Sequence, residues 1–163
     1  MKAFYQLLEG VYDPNIFKAF FMAGGPGSGK SYVAGKTTAG QGLKVVNSDD
    51  VFERYLKLAR LSFEMPDAEK AQRDARRASA KAVTGKRQDN YIEGRLGMVI
   101  DGTGKDYNKI TTDASTLRQI GYDVHIMAGN VATLKAINDL ADWGANSVRC
   151  NIGGGSICST RGQ

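Results

Sequence analysis

The chain has 163 residues, of which 42% are hydrophobic and 24% charged, with a formal net charge of +5; these values suit one compact globular domain and exclude two complete enzyme domains. No apolar run approaches the roughly 20 residues that cross a bilayer, and the first residues lack a secretory pattern, so no membrane association and a cytoplasmic location are expected. The two cysteines, Cys150 and Cys158, match no common zinc or redox spacing, and the positive balance favours phosphate-bearing ligands without establishing nucleic-acid binding.

Strand-sized apolar runs alternate with helical stretches, which is the pattern of an α/β fold with a parallel sheet and flanking helices. Residues 18–23 read as the first strand, a glycine-rich loop follows, and 31–39 form the helix that the loop caps. A second strand over 43–47 leads through Ser48, Asp49 and Asp50 into a helix over 51–61 with an acidic first turn. Beyond Pro66, the alanine-rich, charged stretch 67–93 predicts a long helix interrupted near Gly85. Its basic residues suit a solvated face or a phosphate-facing patch equally well. A third strand spans 96–101, and a helix over 112–121 is closed by Gly121 in a left-handed cap. A fourth strand over 122–129, a helix over 132–143 and a fifth strand over 147–152 complete the pattern. His125 is expected at a core or edge position without a metal or acid-base role, and Trp143 in the core.

Gly24-Gly25-Pro26-Gly27-Ser28-Gly29-Lys30-Ser31 satisfies G-x-x-x-x-G-K-S/T and lies between a predicted strand and a predicted helix, the context such a phosphate loop requires. Backbone N–H groups of Gly24, Gly25, Gly27, Ser28 and Gly29, together with the helix N-terminus, are expected to cradle the phosphates of ATP or GTP. Lys30 neutralises the β- and γ-phosphates in this reading, and Ser31 ligates Mg²⁺. Asp101, at the end of a strand, is placed to support the metal or else to cap a loop. Asp49 and Asp50 stand at the carboxyl end of the second strand, where one can take a proton from a substrate hydroxyl or cap the next helix. Arg54, one turn on, can hold the substrate or pair with either aspartate.

The segments FMAGGPGSGKS, VVNSDDVFERY and GRLGMVIDGTGKDYNKI together resemble the zeta-toxin and polynucleotide-kinase-like group of P-loop kinases. The resemblance implies a kinase-like domain over 1–124 that uses ATP and Mg²⁺. Its acceptor is a hydroxyl of a nucleotide, a polynucleotide 5′ end or a nucleotide-sugar. Lys30, Asp49 and Asp50 are its implied catalytic residues, with Arg54 lining the acceptor site. The group also carries an arginine-bearing lid, and the residues after 124 carry a different pattern in its place, which leaves open what replaces the lid.

That different pattern, HIMAGNVATLKAINDLADWGANSVRCNIGGGSICSTRGQ, is similar to the middle of IMP dehydrogenase and GMP reductase barrels. The resemblance implies that residues 125–163 are a βαβ piece of a (β/α)₈ barrel. Gly153, Gly154, Gly155 and Ser156 then hold a purine nucleotide phosphate, Cys158 is the nucleophile, Thr160 assists it, and NAD accepts hydride. Two units of a barrel that needs about 250 residues leave that chemistry to partner chains, and Cys158 alone is expected to be an ordinary thiol. The two resemblances meet inside the strand over 122–129, which both folds use as a parallel strand. The frame therefore reads as a chimera, with a non-catalytic nucleotide-binding module as a further alternative.

Overall fold

The computed structural model describes residues 16–25, 28–38 and 42–150, apart from the side chains of residues 31 and 36–38. The chain divides into two compact units, Met1–Val45 with Arg95–Gln163, and Val46–Gly94.

In the first unit the element order begins with β1, Lys18–Ala23, and α1, Lys30–Thr38. After the second unit come β3, Met98–Gly102, α4, Tyr107–Gln119, β4, Asp123–Val131, α5, Leu134–Asp142, and β5, Ser147–Cys150. A short edge strand β2, Lys44–Val46, completes a five-stranded sheet in the linear order β2-β3-β1-β4-β5. β1 pairs in parallel with both β3 and β4, and β4 with β5.

The central position of β1 explains its sequence. A strand covered on both faces needs consecutive apolar residues, and Phe21 and Met22 are both buried, as are Met98 and Val99 beside them in β3. β4 alternates instead, burying Val124, Ile126 and Ala128. Val33 and Ala34 of α1 close over Met22, Val99 and Met127. Because β1 lies between β3 and β4, the winding reverses beside it, and ligands in open α/β sheets collect at the carboxyl end of such a switch point. The glycine-rich loop starts there.

In the second unit α2, Ser48–Ala59, packs on α3, Lys70–Glu93, with a short 3-10 turn, Asp67–Glu69, before it. Val51, Phe52 and Leu56 of α2 form a core with Leu61 and Ala80, each large aliphatic or aromatic side chain contributing about 1.5–3 kcal/mol on burial. The Arg77 guanidinium lies 4.4 Å from the centre of the Phe52 ring.

Several boundaries differ from the sequence expectation. α2 begins at Ser48 because the Asn47 side chain accepts from the Asp49 N–H at 2.7 Å and caps it; Asp49 and Asp50 therefore lie inside the first turn. α3 runs through Gly85, which is exposed, and among the described residues nothing outside its own helix backbone lies within 4 Å of a β-carbon placed there; one glycine costs about 1 kcal/mol, too little to break a long helix. α4 starts earlier than expected, capped by Asp106 through the Lys109 N–H at 2.9 Å. Gly121 does take a left-handed φ of 97°. Trp143 is 60% exposed instead of in the core, its ring centre 6.4 Å from that of Tyr107.

Candidate functional site

β1 delivers the chain to the loop in a fixed register. Met22 lies opposite Asp101 and Ala23 opposite Gly102, and the Gly24 N–H donates to the Gly102 carbonyl at 3.3 Å. On the other flank Ala23 lies opposite Ala128. Asp101 is thus one residue from the strand's contact with the start of the loop, and it is half-buried.

Lys30 reaches back across the loop. Its Nζ donates to the Gly24 carbonyl at 2.7 Å and the Gly25 carbonyl at 3.0 Å. The Ser28 N–H donates to the Gly25 carbonyl at 3.2 Å, and the Val33 N–H to that of Gly29 at 3.1 Å, opening α1. Gly29 has φ +74°, a conformation open mainly to glycine.

Two features bear on whether phosphate fits here. Among the described residues the Ser28 Oγ is buried without a hydrogen-bond partner, and a buried hydroxyl is expected to have one. The N-terminus of α1 carries the positive end of the helix dipole. Both fit an anion. For Mg²⁺, a serine hydroxyl and an aspartate carboxylate are the hard oxygen donors the ion prefers; Asp101 is described, whereas the Ser31 side chain is not.

An unforeseen residue completes the loop's surroundings. Arg149 of β5 donates from Nη1 to the Ser28 carbonyl at 2.8 Å and the Gly29 carbonyl at 3.1 Å. Ser28, Lys30, Asn130 and Arg149 help line a cavity of about 10 Å³, room for about one water. No local pattern signals this contact, because Arg149 is 121 residues from Ser28.

In the second unit, Asp49 and Asp50 are exposed in the first turn of α2, and an Asp49 carboxylate oxygen lies 3.9 Å from Arg77 Nη1. Asp50 and Arg54 line a cavity of about 430 Å³ with Tyr55, Val83 and Arg87. Arg54 therefore shares a groove with Asp50, while the ion pair of Asp49 is with Arg77. His125 is half-buried with its Nε2 2.9 Å from Ser147 Oγ. Cys150 is an exposed free thiol, and among the described residues no cluster of three His, Cys, Asp or Glu could hold a metal. Gly27, Gly153, Gly154, Gly155, Ser156, Cys158 and Thr160 lie outside the described residues. Among the described residues no helix is long and apolar enough to cross a membrane.

The fold resembles that of a chain from the PezAT chromosomal toxin-antitoxin system of Streptococcus pneumoniae, with a TM-score of 0.52 at 17% identity over 77% of this chain and 52% of that one. It also resembles a candidate kinase from Chloroflexus aurantiacus, with a TM-score of 0.54 at 13% identity over 82% and 84% of the two chains. At these identities the likeness is one of fold, and it agrees with the zeta-toxin and kinase-like fold implied by the motifs.

The sequence matches point elsewhere. Inosine-5'-monophosphate dehydrogenase of Chlorobaculum tepidum is 30% identical over 149 residues, covering 76% of this chain and 30% of that protein. The enzyme of Rhizobium tropici is 35% identical over 101 residues, 59% of this chain and 20% of the relative, and that of Rhodopirellula baltica 40% over 65 residues, 39% and 12%. The chain spans less than a third of the length of these relatives. The family model of the IMP dehydrogenase / GMP reductase domain matches residues 35–163, reaching upstream of the motif-bearing segment that starts at 125. On a five-stranded parallel sheet that resembles those two structures in fold, this chain belongs to the IMP dehydrogenase / GMP reductase family.

Proposed function

We propose that the chain binds ATP at the phosphate loop and transfers a phosphoryl group to a hydroxyl of a nucleotide, polynucleotide or nucleotide-sugar acceptor. The observation that carries this reading is the loop itself, with Lys30 bridging the Gly24 and Gly25 carbonyls beside the unpartnered Ser28 Oγ. Backbone N–H groups and Lys30 hold the β- and γ-phosphates, with Ser31 and Asp101 as ligands for Mg²⁺. The bound nucleotide supplies the phosphoryl group, and the metal neutralises its charge. By the kinase resemblance, Asp49 or Asp50 accepts the proton of the acceptor hydroxyl, and Arg54 holds the acceptor. General-base assistance of this kind is worth about 10² to 10⁴ in rate.

Transfer of labelled γ-phosphate to nucleosides, 5′-hydroxyl oligonucleotides and nucleotide-sugars tests the reaction, with Asp49→Asn and Asp50→Asn separating the two candidate bases. ATP binding without transfer to any acceptor reduces the reading to a nucleotide-binding module.

The family match over residues 35–163 favours a second reading, purine nucleotide oxidoreduction. Here Gly153, Gly154, Gly155 and Ser156 would hold the phosphate of IMP and Cys158 would be the nucleophile toward the purine, with NAD as the hydride acceptor and water releasing the oxidised purine from the thiol. IMP-dependent protection of Cys158 from alkylation supports it; alkylation at an unchanged rate in saturating IMP removes it.

A further inference from the structure

The phosphate loop is gripped from two sides, and only one grip belongs to its motif. Lys30 Nζ takes the carbonyls of Gly24 and Gly25 at one end, at 2.7 and 3.0 Å. Arg149 Nη1 takes those of Ser28 and Gly29 at the other, at 2.8 and 3.1 Å. We infer that Arg149 is a positioning residue for the phosphate loop, a role resting on the ATP-binding reading, so that the dehydrogenase-like strand β5 is a working part of the nucleotide site.

The physical argument starts from the peptide group. Each trans peptide is planar with its C=O and N–H pointing in opposite directions. Holding the Ser28 and Gly29 carbonyls against the guanidinium therefore turns the N–H groups of Gly29 and Lys30 away from it. Those N–H groups belong to the anion cradle at the start of α1. Because Arg149 occupies the carbonyl side, it acts on bound phosphate through the loop and is not itself a catalytic residue.

Strand pairing supplies the placement. β5 runs parallel to β4 with Arg149 opposite Gly129, so the guanidinium is delivered by sheet register and not by a lid. Gly29 is fitted to it twice over. Its φ of +74° disfavours other residues, and a β-carbon there would lie 3.0 Å from Arg149 Nη1. Arg149 is half-buried, and among the described residues it makes no ion pair with a carboxylate. Its charge is left to the loop carbonyls, and hydrogen bonds from a charged donor are stronger than neutral ones.

The test is hydrogen exchange of the full-length, nucleotide-free protein, read on peptides covering 24–33, together with equilibrium ATP binding. Arg149→Ala should speed exchange of the loop and weaken ATP binding, each by about tenfold, with exchange in residues 46–94 unchanged. Arg149→Lys, which keeps the charge and a donor, should restore part of both. Loop exchange in Arg149→Ala equal to that of the unmodified chain overturns the inference. So does faster exchange throughout the sheet in both variants, which marks a general packing role. Loosening of the loop in a chain that binds no ATP keeps the tether and removes the ATP reading instead.

Discussion

Gly24 faces Gly129 so closely that a β-carbon on Gly24 would collide with the Gly129 carbonyl oxygen, and would also lie 2.8 Å from Ser28 Oγ. The first obstacle is backbone, which cannot swing aside as a side chain can. Gly24→Ala should therefore destabilise the nucleotide-free protein by about 1–3 kcal/mol, the usual cost of overpacking. Gly25→Ala is the control, since among the described residues nothing lies within 4 Å of a β-carbon there, and its effect should stay within about 0.5 kcal/mol. Urea unfolding of the two variants measures both. Equal midpoints would mean that the loop and β4 are not in this contact.

Lys30→Ala should weaken ATP binding by at least about tenfold, because it removes a cation with charge-assisted bonds from the phosphate site. Titration calorimetry at two salt concentrations reads the effect. The unmodified protein should lose affinity as salt screens the site, and the variant should lose less. An affinity unaltered by the substitution would place nucleotide elsewhere or nowhere.

The parts of this site legible in sequence are those that local physics decides. Residues 18–23 stand as β1 with the expected bounds, because six residues dominated by apolar side chains before a glycine run suit a central strand. Gly121 takes its positive φ because a helix ends just before it. The start of α2 differs from the expectation through cap chemistry: Asn47, not Asp49 or Asp50, takes the capping role. Trp143 follows α5, in which no described residue is fully buried, so an apolar pattern there did not mean a core. Arg149 is different in kind. Its role comes from the β4–β5 register and the β1–β4 pairing together, and no window along the chain contains both partners.

In the second unit, Leu56 is 1% exposed and Leu58, two residues on, is 72% exposed. Leu56→Ala opens a cavity in the α2–α3 core and should cost about 2–5 kcal/mol. Leu58→Ala should change stability by less than about 0.5 kcal/mol. Amide exchange across residues 46–94 distinguishes them: it should quicken in the first variant and stay constant in the second. Similar protection in both would mean that α2 does not pack on α3 through Leu56.

Tyr122 gives the protein a pH dependence whose sign can be worked out. The residue is 4% exposed, its ring meets Phe17 edge-on with centroids 5.5 Å apart, and its hydroxyl donates to the Leu96 carbonyl at 3.2 Å. Burial pushes the phenol above its ordinary value of 10.0 by disfavouring the charged form. The folded state therefore keeps its proton at a pH where the unfolded chain has lost it. The stability gained from the buried neutral phenol is complete below the unfolded value and falls as pH rises from there through the folded value. Tyr122→Phe removes the titration and the hydrogen bond together, and the lost bond should cost about 1 kcal/mol at neutral pH. Above pH 10 the variant's stability should decline less steeply than that of the unmodified chain, since the Tyr122 phenol is gone from both its folded and unfolded states. Urea midpoints from pH 7 to pH 11 give the comparison, and parallel declines above pH 10 would show that Tyr122 ionises as freely in the folded chain as in the unfolded one.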